Sequence, residues 1–393
     1  MRGRAMPEAK MNGAQSRGTG FSTRDHTDFA HTGPGTLAGA YLRRFWQPVA
    51  MSGELAPGRA KPLRIMSEDI TLYRGEGGRA HCVAFRCAHR GTQFSTGWVE
   101  GDDIRCFYHG WRYGPDGRCV EQPAEPDPFC QRIRIRSYPV EEYLGLIFAY
   151  FGAGEPPPLP RYPDFEAGGV RTTGSYVRPC NYFNSIENGV DPSHVAFVHR
   201  RSAFTDHGLV DVPIVSAEET EYGLVCRATR STGVRLTHHM MPNILHIKGS
   251  PADGASGWTD AIAWRVPIDD EQHLSLNVNL VHVAGEAAPA YEERQRARAG
   301  EPPPVNELAR RMLAGELHVD DIGQPPYIVG VQDTVAQVGQ GVIPDRANER
   351  LGRSDAGILL VRRLWARELR ALAEGQPLTT WRRPDRVEAT AGV

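Results

Sequence analysis

The chain has 393 residues, 45 basic against 47 acidic side chains for a formal charge of -2, 40% apolar residues and 23% charged ones. That length fits two domains of ordinary size, and the composition is that of a chain able to bury a core. The balanced charge gives no electrostatic reason to expect nucleic acid or an anionic membrane as partner, and no run approaches the ~18 consecutive apolar residues of a membrane span.

Residues 1–32 are expected to be a flexible lead-in, because they are rich in Gly, Arg, Ser and Ala and lack both an apolar signal core and a twin arginine. Seven cysteines, an odd number spread thinly, argue against a disulfide framework and for a reducing, cytoplasmic setting. After the turn cluster Gly33-Pro34-Gly35-Thr36, the helical spacing of Leu37, Tyr41, Leu42 and Phe45 predicts a short helix over Leu37 to Trp46. From Val49 to Phe151 the pattern changes to short apolar or alternating runs broken by glycines, as in Cys82-Val83-Ala84-Phe85, which predicts a small all-β domain that makes one unit, 33–152, with the preceding helix. Five prolines (Pro156, Pro157, Pro158, Pro160 and Pro163) mark 153–164 as an extended linker.

The region 165–375 reads as a second, α+β domain with an antiparallel sheet. Leu224 to Thr229, Ala261 to Val266 and Leu274 to Val283 are strand-like, with Leu274, Leu276, Val278 and Leu280 alternating. Ala284 to Pro304 is charged and rich in Pro and Ala, and is expected to be a surface excursion. Asn306 to Ala314 and Asp355 to Ala373 have helical spacing, and 376–393 is expected to be a tail.

Two constellations carry chemistry. In the first, Cys87-Ala88-His89 is followed, after sixteen intervening residues, by Cys106-Phe107-Tyr108-His109. Each loop offers one thiolate and one imidazole, the donor set of a 2Fe–2S cluster in which two Cys hold one iron and two His the other. Gly91 and Gly110 permit tight loops. A zinc site is the competing reading, but zinc motifs usually pair Cys with Cys and His with His; chance placement of buried Cys and surface His is the other.

In the second, Asn188-Gly189-Val190-Asp191-Pro192-Ser193-His194 runs on to His199. Two histidines and a carboxylate make the facial triad of non-heme Fe(II) oxygenases, which leaves coordination positions open. Asp191 and His194 are spaced to share a helix face. His194 and His199 would lie about 140° apart on an ideal helix, so the segment must be kinked, bulged or unwound there, and Pro192 suits a helix start or kink. An amphipathic helix with two ordinary histidines is the bland alternative. The carboxylate is expected from Asp333, on a predicted helix between apolar neighbours, where an unpaired charge is costly. Asp320, Asp321 and Asp345 are the fallbacks, and a surface role for Asp333 is the alternative.

These residues resemble the Rieske non-heme iron ring-hydroxylating oxygenases, alpha (oxygenase) subunit, of the phthalate dioxygenase-like type, which also includes aryl-ether O-demethylases. The likeness covers about Gly33 to Arg370. It includes Leu42-Arg43-Arg44-Phe45-Trp46-Gln47-Pro48-Val49, both Cys/His pairs, the Asn188/Asp191/His194/His199 block, Trp264-Arg265-Val266-Pro267 and the Asp345 to Asp355 segment. The resemblance implies an N-terminal all-β Rieske domain before a C-terminal helix-grip catalytic domain, with a 2Fe–2S cluster at Cys87, His89, Cys106 and His109. It implies a mononuclear Fe(II) at His194, His199 and Asp333, and a homotrimer or a hexamer of two trimers. Asp191 matches the carboxylate that bridges a Rieske histidine of one subunit to an iron-ligating histidine of the next, and Asn188 a residue beside the iron.

The activity implied is hydroxylation of a small aromatic molecule, carboxylated or not, with O2 and NAD(P)H-derived electrons; oxidative O-demethylation by the same iron is the alternative. No Gly-rich dinucleotide fingerprint follows a strand, so a separate NAD(P)H-dependent flavin/iron–sulfur reductase or ferredoxin must supply the electrons. Arg227, Arg230 and Arg235 near a pocket strand could hold a substrate carboxylate, although solvated strand arginines are the commoner case. His238, His239 and His246 suit bland core or surface roles. From another class, the chain could be a Rieske electron carrier with a binding appendage, or a scaffold or sensor with a dead iron site. An iron count separates the carrier from the oxygenase.

Overall fold

The turn at Gly33 to Thr36 ends in a helix cap: Thr36 Oγ1 accepts the Gly39 N–H at 3.1 Å, and α1 (Leu37–Leu42) follows. In the computed structural model, which describes residues 25–202, 211–251, 258–283, 285–298 and 304–389, α1 stops well short of Trp46. Pro48 is the reason: the residue before a proline is driven out of the helical region, and the Gln47 amide turns back to donate to Leu42 O at 3.2 Å. Trp46 therefore opens a strand.

That strand, β1 (Trp46–Met51), begins an all-β region. The next are β2 (Ala60–Ile65), β3 (Glu68–Arg74), β4 (Ala80–Ala84), β5 (Trp98–Glu100) and β6 (Asp103–Arg105). They are followed by β7 (Arg112–Tyr113), β8 (Cys119–Glu121), β9 (Ser137–Tyr138), β10 (Val140–Tyr143) and β11 (Leu146–Tyr150). Three small antiparallel sheets result, ordered β1-β11-β10, β2-β3-β4-β9 and β5-β6-β7-β8.

After the proline-rich segment, β12 (Val170–Arg178) leads to α2 (Tyr182–Gly189) and the single-turn α3 (Val195–Val198). Then come β13 (Ile214–Thr220), β14 (Gly223–Arg230), β15 (Gly233–Met240), β16 (Ile244–Pro251), β17 (Trp258–Pro267) and β18 (His273–Val281). They form a seven-stranded antiparallel sheet of order β12-β18-β17-β16-β15-β14-β13. The helices α4 (Ala287–Arg298), α5 (Val305–Leu313), α6 (Ile328–Gly339) and α7 (Ala356–Ala373) complete this half.

Strand alternation gives the sheet two different faces. One carries α2 and α7: Cys226 Sγ reaches Val190 O at 3.5 Å beyond the end of α2. A Cβ on Gly357 would lie 2.2 Å from Val190 O, so only glycine lets α7 approach there. The other face meets the all-β region through aromatics, Phe148 edge-on to Trp264 at 5.6 Å and 78°. One buried apolar cluster runs through both halves, from Trp46 and Phe148 to Trp264, Leu276 and Trp365.

Three expectations need correction. Ala284 to Pro304 is not a bare excursion, because Ala287–Arg298 is helical. Its alanines, glutamates and arginines favour a helix, Pro289 lies in the tolerated first turn, and Tyr291 packs against Val170, Val281 and Val283. Residues 25–32 of the lead-in are packed: Phe29 stacks on Phe183 at 4.7 Å, and Asn181 donates to Ala30 O at 2.9 Å. Residues 1–24 lie outside the described residues. The tail is also docked up to residue 389, with Trp381 Nε1 donating to Tyr41 Oη at 2.9 Å and Val387 buried; 390–393 lie outside the described residues. No helix among the described residues is long and apolar enough to cross a membrane.

Candidate metal centres

The two Cys/His pairs lie on two loops, each closed at its base by an antiparallel backbone pairing. For the first this is the Arg86/Gln93 bridge, for the second the Arg105/Arg112 pair of β6 and β7. The loops turn alike. Gly91 N–H donates to Cys87 O at 2.9 Å and Gly110 N–H to Cys106 O at 3.1 Å, with φ of 77° and 72° at the two glycines. This is the left-handed region that favours glycine.

The loops bring their donors together. Cys87 and Cys106 are buried and close enough to perturb each other, and the His89 and His109 rings are 4.5 Å apart. Trp111 stacks on His89 at 4.5 Å and 5°. Tyr113 Oη sits 3.6 Å from Cys87 Sγ. Burial pushes the Cys87 thiol up, so a thiolate there requires a cation beside it. His89 Nδ1 is buried with no hydrogen-bond partner among the described residues, as expected of a nitrogen reserved for a metal. Two thiols and two imidazoles in one place fit a histidine-ligated 2Fe–2S cluster. Around it Trp98, Phe107 and Tyr108 are left half-exposed, an apolar rim.

The second constellation is built at a helix break. α2 ends at Gly189, residues 190–193 turn, and His194 and His199 flank α3. This is the unwound alternative among those the five-residue spacing demanded. Asp191 carbonyl oxygen accepts from His194 Nδ1 at 2.5 Å. A carbonyl can only accept, so that ring carries its proton on Nδ1 and offers Nε2. His199 Nδ1 donates to Gln332 Oε1 at 2.9 Å, which likewise leaves Nε2. Asp333, next to Gln332 on α6, places Oδ1 3.2 Å from His199 Nε2 and 3.8 Å from His194 Nε2.

His194, His199 and Asp333 each present a ligand atom, all within 4.8 Å of one another. Burial alone would raise the Asp333 carboxyl, but its contact with His199 and the charge of Arg178 hold it below its usual value. Two neutral nitrogens and one carboxylate fit a mononuclear iron with positions left over. Asn188 Nδ2 stands 3.5 Å from both His194 Nε2 and Asp333 Oδ1. Asp191 Oδ1 accepts the Ser193 N–H at 2.9 Å, and its Oδ2 lies 3.7 Å from His194 Nδ1.

The three fallback acids are elsewhere. Asp320 pairs with Arg201, Asp321 caps the backbone of His318, and Asp345 caps Ala347. Sequence reasoning missed Gln332 and Arg178. Gln332 was signalled by a Gln-Asp pair in an apolar helix. Arg178 is buried, and hydrogen-bonds Ser185, Thr334 and Gln337 across α2 and α6.

Beside the metal ligands lies a cavity of about 170 Å³, lined by Asn188, Asp191, Thr237, Leu245, Ile247 and Val329 with three arginines. A larger hollow of about 400 Å³, lined by Phe197, Arg201 and Val319 among others, lies alongside but contains none of the ligand atoms. The smaller one therefore is the candidate reaction space. Arg227 pairs with Glu218 and Glu388 instead. Arg230 and Arg235 are not the solvated strand arginines that base expectation favoured. Arg230 donates to Asp211 O at 2.8 Å and Pro192 O at 3.2 Å, while its Nη1 is buried without a partner among the described residues. Burial, and then repulsion from Arg230, push the Arg235 guanidinium down to about 10, still charged at neutral pH. Arg265 donates to Ser275 and Tyr176. His238, His239 and His246 are buried, as core histidines.

Comparison with known proteins agrees with this geometry. Residues 45–139 match the Rieske [2Fe-2S] domain family, and 178–259 match the vanillate O-demethylase oxygenase C-terminal domain family. The chain is 31% identical over 371 residues to the 5,5'-dehydrodivanillate O-demethylase oxygenase subunit of Sphingobium sp. (strain NBRC 103272 / SYK-6), covering 91% of this chain and 82% of the relative. It is 32% identical to the phenoxybenzoate dioxygenase subunit alpha of Ectopseudomonas oleovorans, covering 87% and 84%. The terminal oxygenase of carbazole 1,9a-dioxygenase from Novosphingobium sp. KA1 shares the fold, with a TM-score of 0.64 at 24% identity over 88% of this chain and 96% of that one. With a loop pair built for a histidine-ligated 2Fe–2S cluster, a donor set built for one further iron and this likeness along most of its length, the chain belongs to the Rieske non-heme iron oxygenases, as an oxygenase subunit.

Proposed function

We propose that this oxygenase acts on a small aromatic molecule bearing a carboxylate. The observation that carries the proposal is the cavity beside His194, His199 and Asp333, where Arg230, Arg235 and Arg265 converge. A cavity of about 170 Å³ suits one ring, since ~150 Å³ accepts benzene. Leu245, Ile247 and Val329 would face the ring, and the arginines its anionic group.

In this reading Cys87, His89, Cys106 and His109 hold the 2Fe–2S cluster, and His194, His199 and Asp333 hold the mononuclear iron. When bound, the two centres supply electron relay and dioxygen chemistry, respectively. The chain's own residues do the rest. Gln332 and the Asp191 carbonyl orient the two imidazoles. Asn188 stands at the cavity side of the ligands. The arginines fix which ring position faces the metal, and the apolar wall excludes water.

Electrons would come from a separate NAD(P)H-dependent reductase or ferredoxin. The chain, its two domains joined by segment 153–164, would work as a homotrimer or a pair of trimers. The rim of Trp98, Phe107 and Tyr108 would dock onto the next copy, so that Asp191 of one subunit bridges to His109 of its neighbour. Seven free cysteines suit a reducing cytoplasm.

A second reading, oxidative O-demethylation of a methoxylated aromatic, is favoured by the match of residues 178–259 to the vanillate O-demethylase C-terminal domain. A substrate screen that follows both product mass and formaldehyde release separates the two. Uptake of O2 without either product, for every aromatic carboxylate tried, would refute both. Iron analysis tests the electron-carrier alternative: three irons per chain are expected of the oxygenase, and two of a carrier.

A further inference from the structure

The sheet's other face closes a second cavity, of about 230 Å³, that shares no lining residue with the one beside the metal ligands. Strand alternation separates them. Leu245 and Arg265 line the metal-side cavity, while their neighbours Ile244 and Trp264, a cross-strand pair, line this one. Its remaining walls come from β1 and β11, the proline-rich segment, the turn between β15 and β16, and the docked C-terminal stretch.

The walls are aromatic. Trp264 stands edge-on to Phe148 at 5.6 Å and to Tyr162 at 5.5 Å, and Trp46 and Trp381 complete the cage. Their polar edges are occupied: Trp46 Nε1 donates to Pro157 O at 2.7 Å and Trp381 Nε1 to Tyr41 Oη at 2.9 Å. Asn243 Nδ2 donates to Gln47 Oε1 at 2.9 Å and Arg265 O at 2.8 Å.

Arg383 is different. Its Nη2 donates to Met241 O at 2.6 Å and the guanidinium lies against the Tyr162 hydroxyl, but Nε and Nη1 are shut off from solvent without a well-formed hydrogen bond to any described residue. The only other charged lining residue is the exposed Arg44, so no carboxylate among the described lining residues neutralises the guanidinium. Sheltering a cation's donors without an acceptor costs free energy that a bound anion would recover. An aromatic-walled cavity of this size has room for a ring as well.

We infer that this interdomain cavity is a second ligand site, which takes a single-ring aromatic carboxylate with its ring between Trp46 and Trp264 and its carboxylate on Arg383. The site does not depend on what the metal-side cavity binds. Because its walls come from both halves and the segment that links them, a ligand there stabilises their packing and raises the melting temperature.

The test uses the full-length holoenzyme, benzoate as the probe, and calorimetry together with thermal melting. The expected result is a benzoate-binding event that Arg230→Gln leaves intact and Arg383→Gln weakens about tenfold or more. Benzyl alcohol, the same ring without the charge, should bind correspondingly weakly. Binding lost in Arg230→Gln but unchanged in Arg383→Gln would place benzoate in the metal-side cavity alone and overturn the inference, as would no binding at all. If Arg383→Gln fails to fold, a crystal of the unsubstituted holoenzyme grown with benzoate decides. A ring against Trp264 with its carboxylate on Arg383 supports the site; a cavity without it refutes the site.

Discussion

His199 Nδ1 donates to Gln332 Oε1 at 2.9 Å, and Gln332 is the immediate neighbour of Asp333 on α6. One helix thus supplies both a candidate ligand and the group that orients another. Replacing Gln332 by Leu should remove the hydrogen bond that orients His199, and weaken mononuclear iron binding by about 10–100-fold. Chelator competition measures this directly. The visible spectrum of the cluster should not change, and a Gln332→Glu variant should recover most of the affinity.

Asp191 holds His194 through its backbone carbonyl, with its carboxylate 3.7 Å from the same ring nitrogen as a second, weaker contact. The Asp191→Ala protein should therefore keep both metals while electron transfer between the centres slows severely. Stopped-flow oxidation of the reduced cluster in the presence of substrate reads this step. Unchanged kinetics would count against the intersubunit bridge.

Gly110 has φ of 72°, and a Cβ there would lie 2.9 Å from Pro123 Cγ. Gly110→Ala should cost about 1–3 kcal/mol and distort the loop that presents Cys106 and His109. The expected outcome is less cluster absorbance per chain, with the mononuclear iron retained.

Arg230, which lines the metal-side cavity, has a buried Nη1 without a hydrogen-bond partner among the described residues. Losing a charge-assisted hydrogen bond there costs about 1.5–3 kcal/mol, roughly a 10–100-fold rise in KM. Arg230→Gln should show that rise for a carboxylated substrate, and little change for the neutral analogue. An equal rise for both would mean that Arg230 only supports the fold.

Iron retention should depend on pH through His194. Burial lowers its pKa, but the hydrogen bond and charge of Asp191, with Asp333, raise it above the ordinary 6.5. Protons compete with metal for this imidazole, so iron should be lost as pH falls through that raised value. The metal-free fold behaves oppositely: its His194 contribution is complete below 6.5 and disappears as pH rises through the raised pKa. Iron per chain after dialysis, and urea midpoints of the metal-free protein, follow the two trends.

Local chemistry was legible in the residues. The two Cys/His pairs, the glycines that let their loops turn, and the His194/His199 spacing that no straight helix permits all follow from backbone geometry and donor type. So do the strands that alternate, such as Leu274 to Leu280. Even Asp333 could be singled out, because a carboxylate among valines needs a partner.

What joins distant segments could not be read this way. Gln332 reaches His199, Arg178 ties β12 to α2 and α6, and Arg383 closes a cavity against strands far from it in sequence. A lone arginine reads as solvated until the fold buries it, which is why Arg230 and Arg235 changed character. Periodicity and ligand spacing are properties of neighbouring residues and survive in the bare chain. The sharing of a cavity or a hydrogen bond across more than a hundred residues exists only after the sheet has closed and water has left.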